Sequence, residues 1–136
     1  MEHQLNFRVR RPYPTLDSGV TIPVLLSVGE VSVDCFAKID TGASYCLFQR
    51  EYGEGLGLNI ESGEPKRLET LTGTLAAFGH EVTIQTFEIA FDAMVYFAAD
   101  YGLPRNLLGR NGWLQQMRLG LVDYDGELYL SHYNDF

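Results

Sequence analysis

Lys38-Ile39-Asp40-Thr41-Gly42-Ala43-Ser44 is the stretch from which the rest of the sequence is best interpreted. The odd-numbered residues over 31–39 are all apolar, so they share one face of a predicted strand. Asp40 has the opposite parity, and its carboxylate leaves the apolar face where Thr41-Gly42 lets the backbone turn sharply. The pattern therefore predicts an acidic turn at the end of a half-buried strand.

Short strand patterns separated by turn residues continue on both sides of this acidic turn. Alternating apolar residues over 22–28 lead through Gly29-Glu30 into the strand before Asp40, which predicts a hairpin. Asp125-Gly126 is the dipeptide preferred in two-residue turns and predicts a second hairpin near the C-terminus. The remaining strands are predicted at 5–11, on both sides of 71–74 within 66–84, and at 86–91, 94–98 and 107–109.

Two segments favour helix. Residues 49–58 contain three glycines and predict an irregular or one-turn helical loop, whereas 111–117, with Asn111 as N-cap, is the best helix candidate. Short strands with a turn signal every eight to twelve residues or so, and one short helix near the C-terminus, predict an all-β, barrel-like fold. At this length we expect residues 1–136 to form a single domain.

Composition and charge exclude several classes of function. The formal net charge is −8, whereas binding to a phosphate backbone needs clustered Lys and Arg, so we expect no nucleic-acid partner. Residues 1–4 lack the apolar core of a signal peptide, and the longest uncharged apolar run, 93–99, is too short to span a bilayer. These features predict a cytoplasmic protein with no membrane partner.

Cysteine and histidine usage gives no sign of a metal site. Cys35 and Cys46 have neither a CxxC nor a metal-ligand spacing, and the three histidines are scattered. We therefore interpret both cysteines as reduced core thiols and expect no metal and no cofactor.

A second short element gives the Asp-Thr-Gly tripeptide its significance. Leu107-Leu108-Gly109-Arg110-Asn111 is an apolar strand that ends in glycine and enters the helix candidate. Together the two elements resemble those of the retropepsins, the aspartic proteases of retroviruses and retrotransposons and their single-domain cellular and bacterial relatives. The resemblance spans roughly 22–122 and implies a retropepsin-like closed β-barrel.

The resemblance implies a role for each matching residue. Asp40 would be the catalytic residue, Thr41 would brace the paired active-site loops, Gly42 would let the substrate backbone approach, and Ala43 would complete the supporting loop. Arg110 would tie the helix start to the region behind the active site. The structural and interface residues would be Leu108, Gly109, Arg110 and Asn111, and the tip of a flap that closes over peptide would be Leu71, Thr72, Gly73 and Thr74.

The chemistry of this family explains why one Asp-Thr-Gly copy is only half of a site. Hydrolysis of a peptide bond by carboxylates needs one ionised group to accept a proton from water and one protonated group to polarise the carbonyl. In aspartic proteases two carboxylates about 3 Å apart share one proton, because both cannot ionise at that separation. Since this chain carries a single copy, the resemblance implies a homodimer with Asp40 from each subunit, acting on a peptide or protein substrate.

Other interpretations stay open from the sequence alone. A non-catalytic module of the same fold could use its dimer interface or cleft to bind a partner or a peptide. Asp40 could also be an ordinary turn aspartate that accepts hydrogen bonds from local amides in an unrelated β-barrel. Trp113 and Met117, at helical spacing, are interpreted as core residues.

Ala43 generates a prediction about pH. Alanine offers no hydroxyl to an ionised Asp40 carboxylate, so we expect a pH optimum in the mildly acidic to near-neutral range. In Ala43→Ser a hydroxyl would donate to the ionised form and stabilise it, which should shift the profile of kcat/KM to lower pH. A pH profile measured on one peptide substrate checks this, and an Ala43→Ser profile that coincides with that of the wild type contradicts it.

Overall fold

The structure, a computed structural model, describes residues 1–16 and 18–136. Within these residues the chain forms ten strands and one short α-helix, α1, which spans Arg50–Gly55. The strands are β1 Val9–Pro12, β2 Thr21–Val28, β3 Val31–Ile39, β4 Leu47–Phe48, β5 Glu64–Thr70, β6 Gly73–Thr86, β7 Ile89–Ala98, β8 Asn106–Leu108, β9 Met117–Val122 and β10 Glu127–His132.

Six of the strands close into a barrel in the order β2-β3-β8-β4-β7-β6, with β6 pairing back onto β2. The β3–β8 and β4–β7 pairs are parallel, and the other pairs are antiparallel. Strand β5 pairs only with β6, so this hairpin projects from the barrel wall. The predicted all-β barrel is confirmed, as is the β2–β3 hairpin that leads to Asp40.

A second sheet joins the two ends of the chain. Its order is β1-β10-β9, with Val9 opposite Leu130 and Leu130 opposite Leu119. The buried side chains Val9 and Leu130 belong to the same apolar cluster as the barrel interior. The N-terminal strand is therefore held by β10 of the same chain.

The core is filled by large apolar side chains from the barrel strands and from the segment that follows β8. Trp113, Phe48 and Phe97 are fully buried. The indole Nε1 of Trp113 donates a hydrogen bond to the Thr86 hydroxyl at 3.2 Å, which satisfies its one polar atom. The interpretation of Trp113 and Met117 as core residues is confirmed.

The helix predicted at 111–117 is wrong in extent. The structure has one 3₁₀ turn there, Leu114–Gln116, and the α-helix lies instead at α1, inside the segment predicted to hold one helical turn. Gly112 has a φ of +99° and Trp113 a φ of −141°, so the backbone is not helical before Leu114. Strand β9 begins at Met117, which leaves room for a single turn only.

Two other strand predictions need correction. The runs predicted at 86–91 and 94–98 form one strand, β7, because the turn from β6 falls at Phe87, whose φ is +54°. The turn at Asp125-Gly126 is longer than two residues: Val122 pairs with Glu127, and a 3₁₀ turn at Asp123–Asp125 with left-handed Gly126 joins them.

Asn106 gives a test of how the barrel is held together beside the acidic turn. Its buried side-chain amide donates to the Phe36 carbonyl at 2.8 Å and accepts from the Gln49 N–H at 2.8 Å, so it links β3 to the start of α1. Asn106→Ala leaves both backbone groups without their partner and should lower the free energy of unfolding by about 2–3 kcal/mol.

Urea unfolding of Asn106→Ala beside Asn59→Ala, an exposed asparagine whose side chain makes no cap hydrogen bond, measures this effect. The control is expected to stay within about 0.5 kcal/mol of the wild type. Equal stabilities for the two variants would show that the Asn106 bridge contributes nothing.

Candidate active site

Asp40 lies directly after β3, and its position is defined by backbone hydrogen bonds. Its N–H donates to the Leu108 carbonyl at 2.9 Å, and the Ala43 N–H donates to the Asp40 carbonyl at 3.1 Å. The carboxylate Oδ1 accepts a hydrogen bond from the Gly42 N–H at 2.9 Å. The side chain is half-buried, so a carboxylate of defined orientation reaches the protein surface at this turn.

The structure brings the two sequence elements into direct contact. The Arg110 N–H donates to the Ala43 carbonyl, and the Asn111 N–H donates to the Ser44 carbonyl, both at 2.9 Å. The Asn111 side-chain amide donates to the same Ser44 carbonyl at 2.8 Å. Residues 108–111 therefore form the support on which the acidic turn rests.

Gly109 allows this close approach. A Cβ at this position would overlap the carbonyl group of Tyr45 and lie 2.8 Å from the Ala43 carbonyl oxygen. The Gly109 N–H donates to the thiol Sγ of Cys46 at 3.4 Å. Burial raises the pKa of Cys46 to about 12, so the thiol stays neutral, and both cysteines are free and buried as predicted.

Thr41 and Arg110, to which the resemblance assigns contacts around the active site, are both exposed. Within residues 1–16 and 18–136 neither side chain forms a hydrogen bond or an ion pair. Their roles in the site stay predictions for an assembled dimer.

The predicted flap residues lie at the tip of the projecting β5–β6 hairpin. Leu71 and Thr72 form the turn, while Gly73 and Thr74 begin β6. The Thr70 hydroxyl donates to the Gly73 carbonyl at 2.8 Å, and Gly73 has a φ of +135°, which favours glycine. Leu71 is fully exposed, so the tip carries an apolar side chain that the described residues do not cover.

A cleft of about 250 Å³ separates this hairpin from the acidic turn. Gly42 and Ala43 line it on the side of the acidic turn, and residues 67–70 of β5, including Leu68, line it on the side of the hairpin. Leu47 and Leu107 line the cleft as well and pair with each other in the barrel wall. Apolar side chains therefore form part of a cleft that lies next to the Asp40 turn.

Sequence reasoning missed a contact between the hairpin and the acidic turn. The ammonium of Lys66 on β5 donates to the Tyr45 hydroxyl at 3.0 Å and lies 4.2 Å from the centroid of the same ring. The hydrogen bond to Tyr45 raises the pKa of Lys66. No local sequence pattern indicates this pair, because the contact depends on how β5 packs against the barrel.

The described residues contain neither a metal-binding cluster nor a membrane-spanning helix. No group of three or more His, Cys, Asp or Glu side chains in this part of the chain is arranged to hold a metal ion. None of the helices found over 1–16 and 18–136 has the length and apolar character needed to cross a membrane.

Comparison with solved structures identifies the architecture. The EIAV protease complexed with the inhibitor HBY-793 matches this chain with a TM-score of 0.55 and 20% sequence identity, over 70% of this chain and 85% of that chain. The chain has a retropepsin-like fold. No protein-family model matches the sequence, and no curated protein matches it.

The retropepsin-like fold confirms the architecture that the two motifs implied. The closed barrel, the projecting hairpin and the contact between the Asp40 turn and the Leu108–Asn111 segment are all present in the chain. The catalytic and interface roles of these residues are taken up below as proposals.

Gly109→Ala tests the packing behind the Asp40 turn. The added methyl group must displace the Tyr45 carbonyl, so the variant should lose about 2 kcal/mol or more of unfolding free energy. Gly55→Ala, whose methyl group would meet only the Val33 side chain at 3.1 Å, is the matched control. Thermal unfolding of both variants measures the difference, and a Gly109→Ala protein as stable as the control would contradict the close approach.

Proposed function

We propose that this protein is an aspartic endopeptidase that acts as a homodimer. The observation that carries the proposal is the position of the Asp40 carboxylate, at the surface of a turn that a projecting hairpin and an apolar cleft flank on a retropepsin-like fold. The Asp40 carboxylate of a second subunit would complete the catalytic pair.

In the proposed reaction the two carboxylates share one proton. The ionised Asp40 accepts a proton from a water molecule as that water attacks the peptide carbonyl carbon, and the protonated partner donates its proton to the carbonyl oxygen. The resulting gem-diol loses a proton back to a carboxylate while the amide nitrogen is protonated and the C–N bond breaks. The products are a carboxylic acid and an amine, and the pair again holds one proton.

The surroundings of Asp40 support this use. The Gly42 N–H fixes one carboxylate oxygen, so the side chain is oriented before substrate binds. The cleft between Leu68 and the acidic turn offers apolar surface to peptide side chains, and backbone groups of the hairpin can pair with an extended peptide. Leu71 at the exposed tip would be covered when the hairpin closes over substrate or contacts the second subunit.

One observation favours a second candidate. The hydrogen bond from the Gly42 N–H to Asp40 Oδ1 is also what a structural turn aspartate makes, so the cleft could bind peptide without cleaving it. That alternative is a non-catalytic retropepsin-fold module for dimerisation or peptide binding.

Asp40→Asn distinguishes the two functions. The amide cannot accept the proton from water, so peptide cleavage should fall by at least about 100-fold, whereas peptide binding should remain. Asp34→Asn, the same change at an exposed position on β3, should keep full activity. Cleavage by each variant is measured by mass spectrometry on a proteome-derived peptide library. The reaction is run with and without a transition-state-mimicking aspartic protease inhibitor.

Cleavage that is lost in Asp40→Asn and blocked by the inhibitor supports the enzyme. Equal cleavage by wild type and Asp40→Asn rules out Asp40 as the catalytic group. Peptide binding by the wild type with no cleavage of any peptide points to the binding module.

A further inference from the structure

The basic residues of this acidic protein are divided between two environments. Of ten Lys and Arg residues, four form ion pairs. Three of these, Arg8, Arg10 and Arg11, lie on or next to β1, and the fourth is Arg50 in α1, which pairs with two glutamates. These cations are neutralised by carboxylates of the same subunit.

The other six basic residues form no ion pair within residues 1–16 and 18–136. One of them, Arg118, lies on β9 in the terminal sheet. The remaining five lie on β3, on β5 and on the two sides of β8: Lys38, Lys66, Arg67, Arg105 and Arg110. Among the described residues, most of the basic side chains without an ion pair therefore lie on strands near the candidate active site, or directly beside those strands.

Two of these cations line one groove. The groove has a volume of about 350 Å³, and Lys38 and Arg105 lie at it together with the aromatic rings of Phe36 and Tyr52. Phe36 is 67% exposed, so the groove presents an uncovered aromatic side chain as well as the two positive charges. Such a set can contact the methylene groups of a side chain and bind a carboxylate at its end.

The groove and the cleft under the hairpin lie on neighbouring strands. Lys38 precedes Asp40 by two residues, so their Cα atoms are at most about 7 Å apart along the chain. Lys38 pairs with Leu107 on β8, and Leu107 lines the cleft under the hairpin. An extended peptide that presents a bond to Asp40 would therefore place a side chain one to three residues away in the groove.

We propose that this groove is a substrate subsite that binds an acidic side chain of the peptide through Lys38 and Arg105. The inference rests on the proposed function, since it assigns a specificity to the same site. With a net charge of −8 the protein repels acidic peptides at long range, so a local pair of cations is what would allow one to bind productively.

Matched peptides test the subsite. The probes start from uncharged decapeptides that the wild type cleaves at one bond. Each decapeptide is resynthesised in pairs that carry Glu or Gln at one position, and every position is substituted in turn. The readout is the kcat/KM of the Glu peptide divided by that of the matching Gln peptide. At one position near the cleaved bond the wild type should prefer Glu by about fivefold, the size expected of two solvent-accessible charge pairs. The preference should weaken at high salt.

Charge reversal identifies the residues responsible. Lys38→Glu and Arg105→Glu should each abolish or invert the Glu/Gln ratio, whereas Arg118→Glu changes net charge equally and should leave the ratio as it is. A wild type with no Glu preference at any position, or charge-reversal variants that keep the ratio, would overturn the subsite.

A binding measurement separates this inference from the proposed function. Fluorescence anisotropy on Asp40→Asn, with labelled Glu and Gln versions of the same decapeptides, reports the preference without catalysis. If no peptide is cleaved by the wild type, decapeptides are chosen by binding instead. If the Glu peptides bind more tightly than the Gln peptides and Arg105→Glu removes this preference, the subsite is supported although the enzyme proposal fails. If binding shows no preference for Glu, the subsite is overturned as well.

Discussion

The structure depends on the backbone hydrogen bonds that join the Asp40 turn to the segment after β8. Parallel pairing of β3 with β8 brings Leu108 beside Ile39, and the chain then continues so that Arg110 and Asn111 donate to the carbonyls of Ala43 and Ser44. Because these bonds involve the backbone, they fix the turn independently of most side chains. The acidic side chain is thereby held on a rigid support rather than on a free loop.

That support explains why particular residue types occur at particular places. Only glycine fits at position 109, where the carbonyls of Ala43 and Tyr45 approach the backbone, and the buried Cys46 thiol faces its N–H. The flanking Asn106 bridges β3 and the start of α1 through its side-chain amide. A site built in this way tolerates little change behind the carboxylate, whereas the nearby cleft lined by Leu68 and Leu107 is under no such backbone constraint.

Local patterns were sufficient for the features that local chemistry determines. The alternation over 31–39 and the Gly29-Glu30 turn predicted the hairpin correctly, and the two motifs predicted which segments meet at Asp40. The helix at 111–117 was wrong because Gly112 and the start of β9 at Met117 override the local propensity. Neither the Lys66–Tyr45 contact nor the groove between Lys38 and Arg105 could be predicted, since each joins residues that only the closed barrel brings together.

The account requires that two copies of Asp40 act in one site, and a mixing experiment tests this most directly. Wild-type protein at fixed concentration is titrated with Asp40→Asn, and peptide cleavage is measured after the subunits have exchanged. If each active site needs both carboxylates, mixed dimers are inactive and activity falls toward zero as the variant is added in excess. Activity that stays constant through the titration, with subunit exchange verified by mass spectrometry, would contradict the shared site.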